Sequence, residues 1–89
     1  MTTPGVRRHD GTSAHEFLPG EYAKTLQGIW IVRPPENAKG ISHSGTLSKH
    51  TVEEHEDGTI TVTPSILQQY GDGEELWHGF LRHGQWETV

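Results

Sequence analysis

Seven histidines and no cysteine stand in a chain of 89 residues, so metal chemistry here would fall to imidazole and carboxylate ligands alone. The stretch nearest to a zinc-enzyme signature is His50-Thr-Val-Glu-Glu-His55. Metalloprotease helices carry two histidines four residues apart with a glutamate between them, so that both rings share one face. Here the spacing is five, which turns the rings about 140° apart on a helix and sends them to opposite faces of a strand. The pattern fits neither protease type. Two readings then stand: a zinc site assembled from separate strands, with His43, His50, His55 and His78 as candidate ligands, or scattered polar histidines on a sheet surface. His78 differs from the others because it lies between Trp77 and Phe80. A buried imidazole there needs a hydrogen-bond partner, and a structural role is the expectation.

Nucleophilic catalysis has little to work with. Ser13, Ser42, Ser44, Ser48 and Ser65 occur without a Gly-x-Ser-x-Gly turn. Ser65 sits in Thr63-Pro-Ser-Ile66, where the fixed proline dihedral and the hydroxyl account for a turn. Glu53-Glu54 and Glu74-Glu75 are sequence neighbours, so on strands their carboxylates point to opposite faces. Gly71-Asp-Gly73 is too short for a calcium loop, and no glycine pattern suits a phosphate. With so few large apolar residues to build a pocket wall as well as a core, the expectation is a protein without enzymatic activity and without a cofactor.

The elements that must position these residues follow from composition and alternation. Hydrophobic residues make up 30% of the chain, at the low end for closing a core. Few large ones precede Leu26, whereas Ile29, Trp30, Ile31, Val32, Ile60, Val62, Ile66, Trp77, Leu81 and Trp86 follow it. The division expected is an extended N-terminal arm over 1–25, broken by Pro4, Gly5, Gly11, Pro19 and Gly20, and a β-rich domain over 26–89. Helical periodicity is nowhere sustained. The fold expected is mainly β, a small antiparallel sheet, curled or sandwiched, of about five strands. Glu21 to Leu26 reads as a helical turn, Gly28 to Arg33 as a strand stopped by Pro34-Pro35, and Glu36 to Ser44 as a polar loop.

Two hairpins can be placed in register. A three-residue loop Glu56-Asp57-Gly58, with Gly58 in the left-handed conformation, sets Val52 opposite Val62 and Glu54 opposite Ile60. A two-residue loop would set charge against the apolar side chains, so the three-residue form is preferred. At the C-terminus, a His83-Gly84 turn pairs Leu81 with Trp86 and Gly79 with Thr88. Trp77, Leu81 and Trp86 then share one face. Leu76, His78, Phe80 and Val89 share the other, so the ribbon has apolar groups on both sides and is expected to be either central or covered by something.

Twelve acidic against seven basic residues give a net charge of −5, so counterion release cannot drive nucleic-acid binding over the main surface. Arg7, Arg8 and His9 form one local basic spot. No apolar run has the length of a membrane span, and the expected location is the cytoplasm of a host cell or a particle assembled there.

Thr63-Pro-Ser-Ile-Leu67, then Trp77-His-Gly-Phe-Leu81, then Gly84-Gln-Trp-Glu87 resembles a family of small, functionally uncharacterised phage and prophage proteins. In that family a Pro-Ser-Ile segment precedes a Cys-His or Trp-His pair, a Phe and a glycine-containing turn. Many members look like zinc binders with paired cysteines near the N-terminus. This chain lacks those cysteines, and only His78 matches a patterned position. The resemblance covers roughly the last thirty residues and implies a phage origin and a β-rich fold. The function expected is protein binding, through Trp77 and Trp86 on an aromatic sheet face and through Phe17, Leu18 and Tyr22 on the arm. The partner is a virion shell protein or, alternatively, a host protein met by an accessory factor. Open strand edges also favour self-association.

Overall fold

Short runs of alternating residues, each cut off by glycine, proline or an acidic turn, predict short strands, and the structure carries the pattern further than expected. The computed structural model describes residues 2–89. It contains β1 (Thr2–Pro4), β2 (Val6–Arg7), β3 (Glu21–Lys24), β4 (Trp30–Val32), β5 (Gly45–Thr46), β6 (Thr51–Glu54), β7 (Ile60–Thr63), β8 (Ile66–Gln69), β9 (Glu75–Arg82) and β10 (Gln85–Thr88), with one 3-10 turn at Ala14–Glu16. The mainly β class holds, with twice the expected number of strands because β1, β2 and β3 form in the segment expected to be an arm, and β5 and β8 form beside the expected loop and after Pro64. A four-stranded sheet has the order β1-β10-β9-β8, a second has the order β2-β3-β4-β5, and β6-β7 is a separate hairpin.

Both predicted hairpin registers are present. Val52 faces Val62 and Glu54 faces Ile60, and Gly58 takes φ 88°. Asp57 Oδ1 accepts the Thr59 N–H at 3.0 Å, closing the turn. Gly58→Val should therefore cost roughly 1 kcal/mol or more, because a β-branched residue is forced into the left-handed region. Denaturant melts of the two proteins measure it, and equal midpoints would move the strain elsewhere. In the second hairpin Leu81 faces Trp86 and Gly79 faces Thr88, with His83 at φ 49° and Gly84 at φ 74°. Both central residues at positive φ match the twist of the flanking strands. Gly79 is obligatory for close packing, since a Cβ there would stand 2.6 Å from the Trp77 ring.

The first 25 residues are the main departure from expectation. Thr2, Thr3 and Pro4 pair with Glu87, Trp86 and Gln85, and Val6–Arg7 runs parallel to β3. The Gly5 N–H donates to Gly84 O at 2.7 Å. A Cβ on Gly5 would meet that same oxygen at 2.8 Å and the Trp86 Nε1 at 3.0 Å, so the crossing needs glycine. The division into a 1–25 arm and a 26–89 body does not describe these pairings: the segment forms the edge of both larger sheets. Glu21 to Lys24 is a strand rather than a helical turn, because hydrogen bonds to β2 and β4 outweigh the helix preference of Glu-Tyr-Ala-Lys.

The core lies where the three sheets meet. Tyr22 and Val32 come from the second sheet, Ile60 and Val62 from the separate hairpin, and Ile66, Trp77, Leu81 and Trp86 from the first, with Leu47 and Leu76 joining them. Leu26 and Ile29, grouped by sequence with the apolar body, are exposed beside the β3–β4 turn. One irregularity matters for the surface. Gln68 faces Trp77 while Gln69 faces Glu75, so Leu76 is an extra residue in β9, and the bulge rolls it into the core.

Candidate protein-docking site

The tryptophans expected to present a docking face are inside the protein. Trp77 is 2% exposed and Trp86 0%, and their rings meet edge-on with centroids 5.4 Å apart. Their shared face is the inner face of the first sheet, covered by Tyr22, Ile60 and Val62. Trp86 Nε1 donates to Gly20 O at 2.9 Å, tying the hairpin to the N-terminal segment. Phe17 and Tyr22, expected as partner anchors, are buried as well. The Phe17 carbonyl accepts from Arg33 Nη1, which holds the 3-10 turn against β4. Of the five expected contact residues only Leu18 is exposed. The correction has a plain physical cause: alternation shows which side chains share a face, whereas coverage is decided by strands elsewhere in the chain.

The opposite face is the one left open. Leu67 stands across from His78, the Val89 N–H donates to His78 O at 3.0 Å, and Phe80 stands across from Glu87. Leu67 is 52% exposed and Val89 73%. Arg82 lies over the Phe80 ring at 3.9 Å and reaches Glu87 Oε1 at 3.1 Å, closing one side with charge. Leu67, which the sequence marks only as part of the Thr63-Pro-Ser-Ile-Leu67 motif, is not among the expected contact residues. The signal available was that Ile66 and Leu67 are adjacent on a strand, so that one of them must turn away from the core.

The histidines divide into two groups. His78 Nε2 lies 3.2 Å from Ser65 Oγ, and its Nδ1 is 3.9 Å from Glu75 Oε1. His50 Nε2 is 3.1 Å from the Ser65 carbonyl. The order serine, histidine, carboxylate is that of a nucleophile and its base, but 3.9 Å is beyond hydrogen-bond reach and leaves the ring unoriented by Glu75. The contacts instead fasten the corner between β7 and β8. Elsewhere His55 stacks on His83, with centroids 4.1 Å apart and planes 10° from parallel, and its Nε2 is 2.7 Å from Thr61 Oγ1. His43 meets the site only through its carbonyl, which accepts from Gln68. Thus His50 and His78 converge on Ser65, while His43 and His55 do not join them. Among the described residues no group of three or more His, Asp or Glu side chains is placed to hold a metal ion.

The basic spot at Arg7, Arg8 and His9 borders an open groove of about 720 Å³, together with Asp10, Asp57 and Thr59. Its guanidinium groups are already engaged. Arg7 donates to Glu54 Oε2 at 2.6 Å, to Gly58 O at 3.0 Å and to Asp10 at 3.2 Å, and it lies 5.0 Å from the Trp30 ring centroid. The Arg7 hydrogen bond holds the Glu54 carboxyl below its ordinary value.

Arg8 donates to Glu21 Oε1 at 2.8 Å, an oxygen that also accepts the Leu18 N–H at 2.8 Å. Burial works to raise the Glu21 pKa, but the Leu18 and Arg8 hydrogen bonds outweigh it and the net shift is downward. A carboxyl with a lowered folded pKa adds stability above its unfolded value, and that stability is lost as pH falls through the folded value. Glu21→Gln should lose about 1 kcal/mol at neutral pH and show a flatter decline from about pH 5 to about pH 3. Urea melts across that range test it, and parallel acid limbs would remove Glu21 from the account.

No protein-family model, curated protein or solved structure matches the chain.

Proposed function

We propose that the protein is a non-enzymatic protein-binding module that docks through the outer face of β8, β9 and β10. The observation that carries this reading is the pair of exposed apolar side chains Leu67 and Val89 flanking His78, with half-buried Phe80 beside them, on a sheet whose other face holds Trp77, Leu81 and Trp86 in the core. Contiguous exposed apolar side chains on a small domain mark interaction surfaces. The resemblance of the carboxyl-terminal segment to small phage proteins is the support for a virion shell protein as partner, which makes the protein a minor component lying on a capsid. A host protein, bound by an accessory factor, is the second reading, and the small acidic body suits it as well.

Leu67→Asp is the informative change. An exposed position tolerates it within about 0.5 kcal/mol, while a charge in the middle of an apolar contact is desolvated on docking. Wild-type protein should co-sediment with gradient-purified particles, and the Leu67→Asp protein should stay at the top of the gradient with an unchanged melting curve. Equal incorporation of both would remove this face from the reading. Wild-type protein found free of particles would transfer the proposal to a host partner.

A further inference from the structure

Among the described residues the three sheets end in six strand edges, and these differ in what they offer a further strand. β2 and β5 are two residues long. β1 carries Pro4, which has no N–H to give. β7 lends the Ile60 carbonyl to the Gly84 N–H at 2.9 Å. β8 runs beside the bulge at Leu76, and a bulge twists an edge away from a flat partner. The remaining edge is β6, Thr51-Val-Glu-Glu54, four residues without proline or glycine on the outer side of a two-stranded ribbon.

The peptide groups of β6 have a defined direction. The His55 N–H donates to Thr59 O at 2.8 Å, so His55 turns its peptide groups toward β7, and alternation along an antiparallel strand turns those of Glu53 and Thr51 the same way. Val52 and Glu54 therefore direct their N–H and C=O outward. Ile60, opposite Glu54, obeys the same rule on β7, since its carbonyl is the one that meets Gly84. The side chains divide as the pleat requires. Val52 packs against the core, and Glu54 is held by Arg7 at 2.6 Å and Lys24 at 3.4 Å. Thr51 and Glu53 are exposed on the other face.

We infer that β6 pairs antiparallel with β6 of a second copy of this chain, about a two-fold axis at Val52, and so joins the two ribbons into one four-stranded sheet. A second copy offers the same outward groups at the same spacing, which is what an isologous contact requires. Charge selects the register. With Val52 opposite Val52, Thr51 faces Glu53 of the second copy, and Glu54, already neutralised by Arg7 and Lys24, faces His50. Pairing Val52 with Glu54 instead would set Glu53 directly against Glu53, and like charges directly opposite destabilise a ladder. The contact is short and each copy carries a net charge of −5, so the dimer is weak and is strengthened by salt. This association goes beyond the docking reading and uses none of its face.

The lack of native cysteine makes the register directly measurable. Thr51→Cys protein and ¹⁵N-labelled Glu53→Cys protein are mixed in equal amounts in a glutathione redox buffer, and the disulfide dimers are weighed by mass spectrometry. In the Val52-centred register the two different cysteines form a non-hydrogen-bonded pair with Cα atoms about 4.5 Å apart, inside the range a disulfide spans. Like cysteines lie on the diagonal, about 7–8 Å apart. The mixed disulfide should therefore exceed either homodimer by roughly tenfold. Sedimentation velocity of the wild-type protein should show a monomer–dimer equilibrium that moves toward dimer as salt is raised. Thr51→Glu, at an exposed position, should weaken it about fivefold, because the new like-charge pair occurs twice in a symmetric contact. The Leu67→Asp protein should dimerise as wild type does, so failure of the docking face and failure of this edge are read separately. A statistical mixture of disulfides, a predominance of the Glu53→Cys homodimer, or a wild-type protein that stays monomeric at its highest soluble concentration would overturn the inference.

Discussion

Deleting residues 1–20 should abolish cooperative folding rather than release a tethered arm. The deletion removes β1 from the edge of the first sheet and β2 from the second. It also removes Phe17 from the interior and the Gly20 carbonyl that accepts the Trp86 indole N–H. A chain of this size has a total stability of only about 4–13 kcal/mol. Loss of two edge strands and a buried aromatic side chain exceeds what that margin can absorb, since burying a side chain such as Phe contributes about 1.5–3 kcal/mol by itself. Near-ultraviolet circular dichroism of the truncated protein should show no ordered tryptophan band, and heating should give no sigmoidal transition. A melting midpoint retained within about 5 °C would show that these pairings carry no stability.

The second large effect is expected at Trp86. Its side chain has no exposed surface, it meets Trp77 edge-on, and its N–H satisfies Gly20 O. Truncation to alanine opens a cavity bordered by all three sheets and strands a buried carbonyl. Aromatic-to-alanine changes in cores cost about 3–5 kcal/mol, which for a domain of this length lowers the melting temperature by roughly 15 °C or more. Trp86→Phe keeps most of the volume and loses the hydrogen bond, so it should cost about 1 kcal/mol. The ordering of the two variants is the test. Similar losses would mean that the hydrogen bond to Gly20, rather than packing, holds the N-terminal segment down.

The hairpins were readable from the sequence because their turns depend on residues with special backbone freedom. Gly58, His83 and Gly84 all adopt positive φ, and a turn type fixes the register of the strands on both sides. The N-terminal strands were not readable for the opposite reason. β1 and β2 are too short to show alternation, and their partners lie at β10 and β3. Pro4 and Gly5, which suggest a disordered tail when read locally, are what this arrangement requires. Pro4 ends a strand at the edge of its sheet, and Gly5 passes so near Gly84 and Tyr22 that a larger residue has no room.

The surface was legible only in part. Alternation assigned Trp77, Leu81 and Trp86 to one side of the ribbon correctly, but an exposed aromatic face and a covered one have the same sequence pattern. The cover comes from Tyr22 on β3 and from Ile60 and Val62 on β7. Leu76 was placed on the outer side because an unbroken strand would put it there, and the bulge moved it inward. Convergence of His50 and His78 on Ser65 depends on the path between β6 and β9, which no local spacing encodes.

Because Thr2 lies opposite Glu87, strands separated by nearly the whole intervening sequence are neighbours in one ladder. The first strand emerges with its partner still untranslated, and loop-closure entropy makes such distant pairing slow. The sheet is therefore completed only when β10 has joined it, and before that point Trp77 lacks its edge-on partner Trp86.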